Sequence, residues 1–172
     1  MSDPRWLDER EQRAWRAYLV GSRLLAAQLD RELQQESGMP HAYYEILVRL
    51  SEAPQRTLRM SDLAQVSVSS RSRLSHAVAR LEEADWVRRE SCPTDRRGAF
   101  AVLTDEGFAQ LTAAAPGHVD AVRSHLFDRL DADQVEQLRQ IFDSVADGLE
   151  GRQPSAAQTC AEAAADGCSQ AG

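Results

Sequence analysis

The sequence predicts a mainly α-helical fold carrying one small β-hairpin, on three observations. Ala, Leu, Arg, Glu and Gln dominate, while strand-forming runs are scarce and aromatics reach only 6%. Apolar residues recur at helical spacing along most of the chain. One stretch instead alternates on both sides of a Pro, Asp and Gly turn.

The elements follow in order. Leu7, Ala14, Trp15, Tyr18, Leu25, Leu29 and Leu33 lie close to helical spacing, so 7–37 is expected as one long helix. Such a length suits a helix that bridges two bodies or packs on a second chain. Gly38 ends it, and Pro40 suits the first position of the next helix, whose stripe is Tyr43, Ile46, Leu47 and Leu50. TLRM, 57–60, is short and alternating, as an edge strand would be. Ser61 reads as the N-cap of the short helix DLAQV, and Ser69 or Ser70 as the N-cap of the one after it. In that helix Leu74, Ala77, Val78 and Leu81 share one side, while Ser72, His76 and Ala79, flanked by Arg73 and Arg80, share the other.

WVRRESC and AFAVLT then alternate around PTDRRG, the hairpin, with Trp86 expected as core beneath it. Thr104 caps a helix whose first turn carries Asp105 and Glu106, favourable at a helix N-terminus. Pro116 and Gly117 interrupt the periodicity, so HVDAVRSHLFDRL is either the far side of a kink or a separate helix. Asp131 and Gln134 stand in capping-box spacing ahead of a stripe of Val135, Leu138, Ile141, Phe142, Val145 and Leu149. Residues 151–172 contain no large aliphatic side chain and are expected as a disordered tail.

Composition narrows the function. There is no basic leader followed by an apolar block, and no apolar run of about eighteen residues, so a cytoplasmic protein with no membrane partner is expected. Cys92, Cys160 and Cys168 are odd in number and widely spaced, which argues for reduced thiols. Phosphate-loop, nucleophile-elbow and zinc-protease signatures are missing, so no enzyme, no catalytic residues and no cofactor are expected. The net charge is -7, yet 56–97 holds nine Arg against six acids, a net of +3. An acidic body therefore carries a basic insert, and all of its cations are guanidinium groups, which suit phosphates and guanine edges.

Strand, short helix, turn, second helix and basic hairpin together describe a winged helix-turn-helix whose second helix can enter a major groove. The stretch RMSDLAQVSVSSRSRLSHAVARLEEADWVRRESCPTDRRGAFAVLTDEG resembles the DNA-binding core of the MarR family of transcription regulators. The likeness includes Leu81 and Glu82 at the end of the recognition helix, and Asp95 and Arg97 in the wing. It extends over roughly 7–150, with the first helix and the last two matching the family's dimerisation helices.

The resemblance implies a dimerisation helix at 7–37, a DNA-binding lobe at 40–104 and dimerisation helices at 105–150. It places Ser70, Ser72, Arg73, His76 and Arg80 nearest the DNA, with Arg97 in the minor groove, Asp95 holding it and Arg96 on or near the backbone. His76 and Ala79 depart from the common pattern, where Arg and Asp are frequent, so base preference does not transfer. The implied partners are a second copy of the chain, a pseudo-palindromic duplex operator and a small, aromatic or phenolic effector. Trp15, Arg16, Tyr18, His41 and Tyr44 are the effector candidates, Arg16 as a carboxylate partner.

Plainer readings stand beside these. Arg71, Arg80, Arg88 and Arg89 are each solvated or paired with Glu82, Glu83 or Glu90. His118 and His125 share a helical face but would need a third ligand, such as Cys92 or a residue of another chain, to bind a metal; no metal site is expected. Cys92 has no neighbour in sequence that would make a redox pair. The rival function is a winged-helix module that binds an acidic protein partner in place of DNA.

Overall fold

The computed structural model describes residues 3–66, 71–92 and 95–150, apart from the side chains of 66, 71, 92, 95–97 and 150. The expected tail and the caps at Ser69 and Ser70 lie outside that description. The chain is mainly α-helical with a small sheet and forms two compact units, one ending at Leu126 and the other beginning at Phe127.

The first unit opens with α1, Glu9–Ser37. Asp8 accepts hydrogen bonds from the Arg10 and Glu11 amides, and the Glu11 carboxylate accepts from the Asp8 amide, a complete capping box. Gly38 stops the helix at φ 69°, a left-handed turn that glycine adopts without steric cost. Helix α2, His41–Glu52, follows. Pro40 is its N-cap rather than its first residue, and its carbonyl accepts from the Tyr43 and Tyr44 amides. A turn of 3-10 helix, Pro54–Arg56, leads into β1, Thr57–Arg59, and α3, Met60–Val66. Ser61 is therefore inside α3 and not its cap, and its hydroxyl donates to the Asp62 carboxylate at 3.0 Å. Met60, read from the sequence as the end of the strand, is the first residue of α3, with its side chain packed against the core.

Helix α4, Arg71–Glu83, is followed by β2, Val87–Cys92, and β3, Asp95–Leu103. The sheet order is β1-β3-β2, all antiparallel, with β1 at an edge as expected. Asp95 to Gly98, read from the sequence as part of the wing turn, belong to β3. Ser91 pairs with Ala99 and Cys92 with Asp95, so one step on β2 faces a longer excursion through Arg96, Arg97 and Gly98. Such an irregularity bends a strand and releases residues from the ladder.

Helix α5, Asp105–His125, is continuous. Of the two alternatives at Pro116 and Gly117, a kink or a separate helix, the separate helix is not found, because both residues lie inside α5. Pro116 is exposed, so the carbonyl that its missing N–H would have bonded can be satisfied by water. The core of this unit gathers Leu33 and Met39 with the α2 residues Tyr44, Ile46, Leu47 and Leu50, and the α4 residues Leu74, Val78 and Leu81. Leu47, Leu50, Leu63, Val78 and Leu81 are fully buried. Each such side chain contributes about 1.5–3 kcal/mol relative to exposure.

The second unit contains a 3-10 turn, Phe127–Arg129, and α6, Ala132–Glu150. The predicted capping box is present: the Gln134 amide donates to Asp131 at 2.8 Å, and the Asp131 amide donates to the Gln134 side chain at 3.0 Å. None of the described helices is long and apolar enough to cross a membrane.

Candidate nucleic-acid interface

Leu74, Val78 and Leu81 pin α4 to the core with at most 2% of their surface exposed, which fixes the side it turns outward. Ser72, Arg73, His76 and Arg80 are all exposed, as the spacing predicted, and Ala79 lies half-buried among them. Arg80 donates to Glu83 at 2.6 Å, and that contact raises its pKa further above the usual arginine value. It is a screened surface pair, separable at small cost when a phosphate competes. Ser70 lies outside the described residues. Asp95, Arg96 and Arg97 are placed by backbone on β3, with Arg96 and Arg97 in its irregular segment.

Two of the remaining arginines have the carboxylate partners that the plainer reading allowed. Arg88 donates to Glu90 at 2.8 Å, and Arg89 meets Glu82 at 3.2 Å. Arg89 does more than pair: its guanidinium also donates to the Ser75 carbonyl at 2.8 Å, and its amide donates to Glu82 at 2.9 Å. Sequence reasoning missed this link, because a strand residue and a helix carbonyl leave no joint signature in spacing.

The effector candidates divide into two groups. Trp15 and Tyr18 stack at 5.6 Å on an exposed stretch of α1, where Arg16 donates to Gln12 at 3.4 Å. His41 and Tyr44 lie where α2 meets α1 and α5, with Asp30 accepting from the His41 amide at 2.9 Å. Tyr18 and Asp30 stand twelve positions apart on one helix, about 18 Å along its axis, so a single chain does not bring the groups together. Tyr44 is buried in the core, which raises its phenol pKa.

His118 completes the second group, 4.5 Å from the Tyr44 ring and 5.3 Å from that of His41. Among the described residues its Nδ1 is buried without a hydrogen-bond partner. Burial first, and then the neighbouring His41, lower its pKa, while Glu45 acts in the opposite sense. His125 instead contacts Glu32 at 2.7 Å, so the two histidines of α5 serve different neighbours. Among the described residues no three His, Cys, Asp or Glu side chains are grouped to hold a metal ion.

Comparison with known proteins places this geometry. A family model described as MarR family matches residues 37–98. The Transcriptional regulator HosA of Escherichia coli O111:H- is 32% identical over 98 residues, spanning 57% of this chain and 70% of HosA. Sco3205, a MarR family transcriptional regulator from Streptomyces coelicolor solved in complex with DNA, is 56% identical. The match covers 90% of this chain and 96% of Sco3205, with a TM-score of 0.80. AbsC, another MarR family transcriptional regulator from Streptomyces coelicolor, is 45% identical over 87% of this chain and 100% of its own, with a TM-score of 0.78.

Proposed function

The chain belongs to the MarR family of transcriptional regulators and is not an enzyme, and from that premise we propose that it is a homodimeric, sequence-specific DNA-binding repressor of the cytoplasm. One observation carries the reading: α4 is anchored by Leu74, Val78 and Leu81 and turns Ser72, Arg73, His76 and Arg80 to solvent beside a basic wing. The similarity to Sco3205, itself solved with DNA, favours a duplex over an acidic protein as the partner.

Residues 40–104 form the DNA-binding lobe in this reading, with 7–37 and 105–150 supplying the dimer contacts and 151–172 a tail. Support for the dimer comes from each helix taken by itself. On α1, Trp15, Tyr18, Leu19, Val20 and Leu24 are about half exposed, and on α6 so are Ile141, Phe142, Val145 and Leu149. Apolar faces of that extent call for a covering surface. Two recognition helices about 34–36 Å apart would then read a pseudo-palindromic operator. Arg97 would enter the minor groove, held by Asp95, with Arg96 and Ser70 near the backbone.

The release signal we read is a small aromatic or phenolic acid. Trp15, Arg16 and Tyr18 of one protomer would meet His41 and Tyr44 of the other, since one chain leaves them apart. A mobility shift on duplex DNA upstream of the chain's own gene, repeated across salt concentrations, tests the central claim. A log–log slope steep enough for several phosphate contacts supports it, and a flat response overturns it.

A further inference from the structure

We propose that Arg89 is a positioning residue for DNA reading: it locks the roll of the recognition helix against the wing and does not itself contact the duplex. The proposal rests on the DNA-binding reading above. It assigns to a wing arginine a role that charge by itself would not suggest, since a cation beside a DNA-binding helix is ordinarily taken for a phosphate ligand.

Three contacts tie Arg89 on β2 to α4. Its Nη2 donates to the Ser75 carbonyl at 2.8 Å, its Nε faces the Glu82 carboxylate at 3.2 Å, and its backbone N–H donates to the other Glu82 oxygen at 2.9 Å. Ser75 and Glu82 are seven positions apart, two turns of the helix, so one guanidinium gathers a backbone carbonyl and a side-chain carboxylate that belong to different turns of α4. Its direction matters as much as its reach. At 100° per residue Ser75 and Glu82 fall on one line of the helix surface. The core stripe of Leu74, Val78 and Leu81 lies about 60–120° to one side of that line. Ser72, His76, Arg80 and Arg73 lie about 60–160° to the other.

Leucine and valine contacts are non-directional and tolerate a small roll of the helix. Charge-assisted hydrogen bonds are directional, and a guanidinium fork holding two points along one line opposes that roll. A roll of α4 would carry Arg73, His76 and Arg80 away from their targets together. Arg88 supplies the contrast. It is the next residue on the same strand, so its side chain takes the opposite face, where it pairs with Glu90 of its own strand and is 58% exposed against 33% for Arg89. The two arginines carry equal charge in different structural roles.

The test compares wild type with Arg89→Ala, Arg89→Lys, Glu82→Ala and the charge control Arg88→Ala. Binding is measured by fluorescence anisotropy on the promoter duplex and on a random-sequence duplex of equal length, across salt, with each variant's thermal midpoint taken. We expect Arg89→Ala and Glu82→Ala each to weaken promoter binding about tenfold, the scale of one lost charge-assisted hydrogen bond. In Glu82→Ala the salt slope stays near that of the unmodified chain and random-duplex affinity does not fall, so the loss is confined to the promoter, and Arg89→Lys recovers part of the loss. The sign for Glu82 is decisive, because removing a carboxylate beside DNA tightens binding on charge grounds.

A tighter Glu82→Ala together with an Arg89→Ala slope shallower by about 0.9 would identify Arg89 as a phosphate ligand and overturn the proposal. Lower thermal midpoints with promoter affinity unchanged in the folded variants would reduce it to a stabilising tie, overturning it equally. Should Arg89→Ala fail to fold, Glu82→Ala and Arg89→Lys still give the answer. A wild-type chain that ignores both duplexes would instead sink the DNA-binding reading on which the proposal stands.

Discussion

Gly107 of α5 packs so tightly on Trp86 that a Cβ placed there would lie 2.0 Å from the Trp86 carbonyl oxygen. The same junction is laced by Thr104, whose amide donates to that carbonyl at 3.1 Å and whose hydroxyl donates to the Asp85 carbonyl at 2.7 Å while accepting from the Gly107 amide at 2.9 Å. The start of α5 is thereby bolted to the entry of the wing. Gly107→Ala is expected to destabilise by about 2 kcal/mol or more, because the two nearest obstructing atoms are Trp86 backbone and cannot swing aside. Thr104→Ala should lose about 1 kcal/mol with the cap. Denaturant midpoints at constant slope check both.

Asp85 adopts φ +59° between α4 and β2, a left-handed conformation that strains a residue with a Cβ. Its backbone contacts, to the Glu82 carbonyl and from the Thr104 hydroxyl, would survive loss of the side chain. Asp85→Gly is therefore expected to raise stability by about 0.5 kcal/mol, the strain relieved exceeding the entropy that glycine adds to the unfolded chain. A lower thermal midpoint would contradict this.

His118 gives stability a slope on the acid side. Its pKa in the folded chain is lowered, chiefly by burial and secondarily by His41, so as pH falls the unfolded chain takes up the proton first. Stability is thus expected to decline from about pH 6.5 downward and to go on declining until the folded pKa is passed. His118→Phe removes that titration, and its thermal midpoint should depend less on pH across this window than that of wild type. Equal slopes for the two proteins would mean that the orphaned nitrogen is solvated in practice.

Leu24 and Ile141 are 58% and 59% exposed on their respective helices. If these faces meet a second copy, Leu24→Asp or Ile141→Asp should shift sedimentation toward monomer and weaken promoter binding by more than tenfold, since one lobe would read one half-site. Unchanged sedimentation would place the interface elsewhere.

Arg73 is exposed on the outward side of α4. Arg73→Ala should weaken DNA binding and, if the side chain neutralises one phosphate, make the salt slope shallower by about 0.9. That outcome is the reverse of the unchanged slope expected for Glu82→Ala, so the pair separates contact from positioning.

Whatever depends on neighbours a few positions away could be read directly along the chain. The stripe of Leu74, Val78 and Leu81, the caps at Thr104 and Asp131, the stop at Gly38 and the order of helix, hairpin and helix were legible because 3.6-residue periodicity and cap chemistry are local. The outward set of Ser72, Arg73, His76 and Arg80 followed from the same periodicity. The events in which distant segments meet emerge only once the chain is packed. Met60 opens α3 with its side chain against the core, and Pro116 lies within α5. His118 was set against His41 and Tyr44, and Arg89 was hooked over Ser75 and Glu82. Each turns on which side chain lies across a packed interface, and no spacing rule along the chain contains that, because packing compares whole surfaces while periodicity compares only positions.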